Sequence, residues 1–104
     1  MKKIVNGKSY DTESAAEVCD LPCTAARSDF EWHDTTLYVS PRGQFFVAGM
    51  GGPASMWRTP AYGGGWNSGD GLRLVDADEA RSIMERAGCD AADFARVGLP
   101  VDEG

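Results

Sequence analysis

The stretch Thr35-Thr36-Leu37-Tyr38-Val39-Ser40-Pro41-Arg42-Gly43-Gln44-Phe45-Phe46-Val47-Ala48 decides the fold of this chain. Its two arms are rich in β-branched and aromatic residues, which fit a pleated, half-buried surface. Between them Pro41-Arg42-Gly43 has the length and residue types of a hairpin turn, with Gly43 free to adopt a left-handed conformation. An antiparallel pair over 35–40 and 44–48 follows. Phe30 to His33 either extends the first arm or forms a separate piece before Asp34.

Working outward towards the N-terminus, the apolar run Lys3 to Val5 stops at Asn6-Gly7, a dipeptide that favours a tight turn. A first strand is expected there, with Lys8 to Tyr10 pairing back on it. Asp11 or Thr12 can then cap a helix, because Ala15, Val18 and Cys19 fall at i, i+3 and i+4 and Pro22 ends the segment. On such a helix Glu13, Glu17 and Asp20 would line the outer face over about 10 Å. An ordinary solvated face carries the same pattern.

Towards the C-terminus, eight of the 23 positions in 49–71 are glycine, interleaved with Met56, Trp57, Tyr62 and Trp66. A Gly/aromatic-rich loop is expected there, and so long a loop in a small domain is commonly functional. Trp57, Tyr62 and Trp66 then serve either to cap the core or to anchor a partner. Leu72 to Val75 reads as a strand. Asp76 with Glu79 forms a capping pair for a helix whose Ala80, Ile83, Met84 and Ala87 share one face and which Gly88 terminates. Asp90 opens a last short helix with Ala91, Phe94 and Ala95 on one side, ended by Gly98, and Pro100 to Gly104 reads as a frayed tail.

The expected architecture is α+β: a small antiparallel sheet of three to four strands around a central hairpin, packed with two to three short helices. With 104 residues, 1–104 reads as one domain, which buries roughly two-thirds of the surface of its unfolded form. Apolar content of 42% separates it from acidic disordered chains. No signal-like or membrane-spanning apolar run is present, so a cytoplasmic location and no membrane partner are expected. An odd number of cysteines in such a chain reads as reduced thiols.

The net charge of -6 disfavours direct binding to nucleic acid. It is unevenly distributed, at +3 over 1–10, -6 over 11–34, +2 over 35–75 and -5 over 76–104. Enzyme chemistry finds little support. Cys19, Cys23, His33 and Cys89 lack the paired knuckles of structural zinc, since the first spacing is Cys-x3-Cys and Cys89 stands alone. His33 is the single base available to a thiol nucleophile, and no carboxylate pair stands out from the helix faces. Gly49-Met50-Gly51-Gly52 lacks the Gly-Lys-Ser/Thr ending of a phosphate loop. No catalytic residue, metal or cofactor is expected, and a binding module is the default.

Lys2 to Ala15, the run from Leu37-Tyr38-Val39 to Phe45-Phe46-Val47, Gly49 to Gly52 and Asp78-Glu79-Ala80-Arg81 together resemble a group of small proteins encoded by phages and mobile elements. Some members of that group act as anti-CRISPR proteins, which bind bacterial CRISPR-Cas effector complexes. The resemblance implies a partner that holds DNA in Lys- and Arg-lined channels, and an acidic protein can compete for such a surface. Glu13, Glu17, Asp20, Asp29, Glu31 and Asp34 are the acids expected to face it, blocking recognition of target DNA where the protospacer-adjacent motif is read. The alternative is an interaction module working through Trp57, Tyr62 and Trp66.

Overall fold

A computed structural model describes residues 1–102. Eight strands precede two helices: β1 (Lys2–Val5), β2 (Lys8–Asp11), β3 (Ala16–Asp20), β4 (His33–Val39), β5 (Phe45–Gly51), β6 (Thr59–Pro60), β7 (Trp66–Asn67), β8 (Gly69–Leu74), α1 (Ala77–Arg86) and α2 (Ala91–Arg96). The central sheet is antiparallel throughout, in the order β3-β4-β5-β8. The class is α+β, as the sequence predicts.

The β4-β5 hairpin pairs Val39 with Phe45 and runs to His33 opposite Gly51. Alternation then divides its side chains between two faces. Leu37, Phe45 and Val47 pack with Val75, Ala80, Ile83, Met84, Phe94 and Leu99 on the helical side. Phe46, Ala48 and Leu72 pack with Tyr10 on the other. That second face is covered by the β1-β2 hairpin, whose Asn6-Gly7 turn has positive φ at both residues (52° and 77°) and so matches the twist of the strands. Tyr10 lies tilted against Phe46 at 5.8 Å and Tyr38 stacks on the same ring at 5.3 Å. Sequence reasoning places the helices over one face; the structure adds a β-hairpin over the other.

The segment expected as a helix after Asp11 is instead an edge strand. β3 pairs with β4, and its register shifts between Glu17 and Cys19. An irregularity of this kind leaves neighbouring Val18 and Cys19 both half-buried. Apolar residues at 15, 18 and 19 therefore imitate helical spacing without a helix. The segment is also too short to hold a helix by local hydrogen bonds alone, whereas β4 supplies a ready edge.

The stretch 49–71 is mostly ordered by the sheet. β5 extends through Gly51, β8 begins at Gly69, and β6 and β7 form a small hairpin between them. Gly49 faces Gly71 and Gly51 faces Gly69, so four glycines stand together on the helical side of two adjacent strands. The 52–58 segment crosses over this bare surface. A Cβ at Gly69 would strike the Trp57 carbonyl, one at Gly51 would strike Ser55, and one at Gly71 would come within 3.1 Å of the Trp57 ring. Trp57 is 7% exposed, and its indole N–H donates to the hydroxyl of Thr35 at 2.7 Å. The helices cover the half of the face nearest the β4-β5 turn, and Trp57 covers the glycine half.

Both C-terminal helices begin at the expected caps, but the Glu79 carboxylate pairs with Arg73 instead of reaching back to the Asp76 amide, so the expected reciprocal box does not form at α1. Asp76 accepts from the Glu79 amide at 2.8 Å, and Asp90 and Asp93 form a reciprocal capping box. After α2, Leu99 is buried and residues 100–102 are irregular; the remainder of the tail expected to fray, Glu103 and Gly104, lies outside the described residues.

Thr35→Val removes the acceptor of a buried indole N–H, so it is expected to lower stability by about 1–3 kcal/mol, and Trp57→Ala by about 3–5 kcal/mol through the cavity it leaves. The double variant should lose less than the sum, because the two residues share one interaction. Urea unfolding of the four proteins checks both statements.

Candidate acidic interface

The first acidic block is brought together by sheet register rather than by a helix. Glu17 lies opposite Tyr38 and Asp20 opposite Thr36, so both side chains share the face of the sheet that carries Phe46 and Ala48. Asp34 is on that face two residues before Thr36. Next to it in the same row come Met50 and then Asp70 on β8. Asp34 and Asp70 are therefore two strand spacings apart, about 10 Å. Met50 and Asp34, with Thr12, Thr36 and Tyr38, line an open depression of which Asp70 forms a wall.

The field of these groups is felt at Tyr38. Burial raises its phenol above the ordinary tyrosine value, and Glu17, Asp20 and Asp34 push it further in the same direction, with the neighbouring Thr36 hydroxyl acting the opposite way. Three carboxylates on two strands thus act on one ring. The Thr36 hydroxyl also donates to Asp20 Oδ1 at 2.8 Å, which orients that carboxylate while leaving its charge intact.

Pairing separates the two acidic blocks. Near the C-terminus Glu79 bridges Arg73 at 3.0 Å, Asp78 bridges Arg81 at 3.4 Å and Asp93 bridges Arg96 at 3.7 Å, while Asp76 and Asp90 cap helices. Among the described residues no Lys or Arg lies in ion-pair contact with Glu13, Glu17, Asp20, Asp29, Glu31, Asp34 or Asp70. Among the described residues of the C-terminal block, Glu85 and Asp102 take part in neither an ion pair nor a cap.

The other expected acids fall outside the row. Glu13 is exposed in the turn before β3, with its amide donating to Asp11 Oδ1. Asp29 accepts from the Ala26 amide at 3.1 Å and so shapes the 21–32 connection, in which Glu31 is also exposed. The helical line of Glu13, Glu17 and Asp20 does not exist, because this segment is a turn followed by a strand. Asp70 is the member that sequence reading missed; its position in a glycine-rich stretch hid that it lies on a strand two places from β4.

The aromatic residues of 49–71 divide by role. Trp57 belongs to the core, where Thr35 satisfies its N–H, and it presents no partner surface. Tyr62 is fully exposed in the turn of the β6-β7 hairpin, where Gly63, Gly64 and Gly65 all have positive φ, a conformation open to glycine and strained for other residues. Trp66 is 51% exposed, with the Arg58 guanidinium 4.4 Å from its ring. His33 and Asp34 are adjacent in sequence yet point to opposite faces; His33 Nδ1 lies 2.9 Å from the Thr35 hydroxyl. No group of three or more His, Cys, Asp or Glu side chains converges as a metal site among the described residues, and no helix is long and apolar enough to cross a membrane.

No protein-family model, no curated protein and no solved structure matches the chain.

Because the neutral phenol is favoured in the fold, Tyr38 contributes stability that is complete below the ordinary tyrosine value of about 10 and is lost as pH rises through its higher folded value. Converting Glu17, Asp20 and Asp34 to their amides should move the Tyr38 midpoint downwards. Alkaline titration of tyrosine-labelled protein by NMR reads this directly, and an unmoved midpoint would mean that the three carboxylates do not share its field.

Proposed function

We propose that the chain is a non-catalytic binding protein whose acidic sheet face occupies a basic, nucleic-acid-binding surface of a partner protein. The observation that carries this reading is the set of Glu17, Asp20, Asp34 and Asp70 on one face of the sheet, held on strands and free of cationic partners, whereas Asp76, Asp78, Glu79, Asp90 and Asp93 are engaged in caps and ion pairs. Carboxylates fixed on a sheet lose little freedom when they meet a Lys- or Arg-lined surface, and their fields steer association. The resemblance of the hairpin and N-terminal segments to phage-encoded proteins directs the proposal to one class of partner, a bacterial CRISPR-Cas effector in the host cytoplasm, whose recognition of target DNA at the protospacer-adjacent motif would be blocked.

A second reading rests on the exposure of Tyr62 and of Trp66 beneath Arg58, which suits an aromatic contact with a partner. The two readings respond oppositely to salt. Competition with target DNA for a purified guide-loaded effector should weaken as ionic strength passes about 0.15 M if the acids carry binding, and should persist if the aromatic hairpin does. Combined Glu17→Lys, Asp20→Lys and Asp34→Lys substitution should then reduce binding by at least about tenfold. Inhibition retained by that variant and lost on Trp66→Ala would replace the first reading with the second.

A further inference from the structure

We propose that the cleft between the β1-β2 hairpin and the β4-β5 turn binds a small phosphorylated ligand, a phosphomonoester on a hydroxylated body such as a sugar phosphate. Residues 7–10, Ser14 and residues 40–44 line it, and its volume of about 580 Å³ is of the size usual for small-molecule sites. Lys8 and Arg42 are among the lining residues and no acid is, in a chain whose net charge is -6. Among the described residues neither cation has a carboxylate in ion-pair contact. Each sits beside a turn glycine of positive φ, Gly7 at 77° and Gly43 at 88°, where an added Cβ would meet nothing within 4 Å, so the space around both turns is open.

Tyr10 supplies an independent observation. It is 6% exposed, with its ring against Phe46, yet among the described residues its hydroxyl takes no hydrogen bond from the protein. No side-chain nitrogen or oxygen is fully buried without a partner, so this hydroxyl keeps contact with solvent, and the cleft is the solvent space that Tyr10 lines. Two cations without an acid match the charge of about -1.5 to -2 that a phosphomonoester carries near neutrality, and exceed that of a carboxylate. Arg42 offers a planar fork to two phosphate oxygens, and Lys8 adds a point charge. A phosphate fills only part of the cleft, and the remaining lining suits hydroxyl groups. Gln44 donates its Nε2 to the Phe45 and Val75 carbonyls at 2.8 and 3.1 Å, which leaves Oε1 to accept, and Ser9 and Ser40 can donate or accept. A nucleic acid strand fits less well, because its further phosphates would run out over an acidic protein. The cleft lies at the turn end of β4-β5, away from Asp34 and Asp70 at the other end.

The test titrates the full-length, isotope-labelled chain by NMR with glucose 6-phosphate, inorganic phosphate, glucose and a short DNA duplex in turn. Glucose 6-phosphate should give saturable shifts confined to the amides of residues 7–10 and 40–44, with a dissociation constant at or below about 1 mM. Inorganic phosphate should bind the same amides more weakly, and glucose should not saturate. Lys8→Ala and Arg42→Ala, both at exposed turn positions, should each weaken binding at least about tenfold while the remaining spectrum stays unchanged. Tyr10→Phe keeps the ring against Phe46 and should weaken it by a few fold, whereas Lys2→Ala, outside the cleft, should leave it unaltered. Shifts that do not saturate or that spread beyond the cleft, binding retained by the Lys8→Ala, Arg42→Ala double variant, inorganic phosphate as tight as the sugar phosphate, or the duplex binding more tightly at these amides would each overturn the proposal.

Discussion

Trp57 lying across a side-chain-free patch of sheet is the contact on which the rest of the structure depends. Gly49, Gly51, Gly69 and Gly71 leave the end of β5 and β8 without side chains on the helical face, and two short helices cannot reach over the whole of it. The indole fills that space, and its polar edge is satisfied by Thr35, which is 1% exposed. An aromatic ring of this size supplies as much apolar burial as several smaller residues, and the hydrogen bond fixes which way it lies. Once Trp57 is docked, the 52–58 segment is pinned over the sheet and the β6-β7 hairpin projects from its far side.

The sheet so closed explains how an acidic protein keeps part of its charge available. Acids in α1 and α2 serve helix starts and exposed ion pairs, arrangements worth little individually, and residues 76–104 keep a net charge of -5. Acids on β3, β4 and β8 have uncharged neighbours: Tyr38, Thr36 and Met50 lie beside them on the same face without cancelling them. The lysines of the N-terminal hairpin are close by in the fold, yet Lys3 turns its ammonium to the Leu72 carbonyl at 3.3 Å. The result is a sheet face that presents carboxylates without cationic partners, an arrangement that favours a basic partner.

Much of this was legible residue by residue. Asn6-Gly7, the Pro41-Arg42-Gly43 turn and the caps Asp76 and Asp90 each carry their meaning locally, because turn and cap preferences are set by backbone angles and nearest amides. Two elements were not legible. Ala15, Val18 and Cys19 mimic a helical face because a shift in register buries consecutive residues, and no local rule distinguishes that from a helix. The 49–71 stretch reads as a loop because glycine has weak strand preference, although here the missing side chains of Gly69 and Gly71 are what let Trp57 approach.

The candidate site divides in the same way. That the negative charge falls in two blocks, residues 11–34 and 76–104, is a property of the sequence, since it depends only on which side chains are present. Which of those carboxylates act together was decided by tertiary structure: antiparallel register set Glu17, Asp20 and Asp34 on one face, added Asp70 from far along the chain, and left Glu13, Asp29 and Glu31 in turns and connections. Local composition sets charge, turns and caps, while the pairing of distant strands sets which side chains become neighbours. That pairing is fixed by burial of Phe46, Leu37 and Trp57 between layers, which no short window of the chain contains.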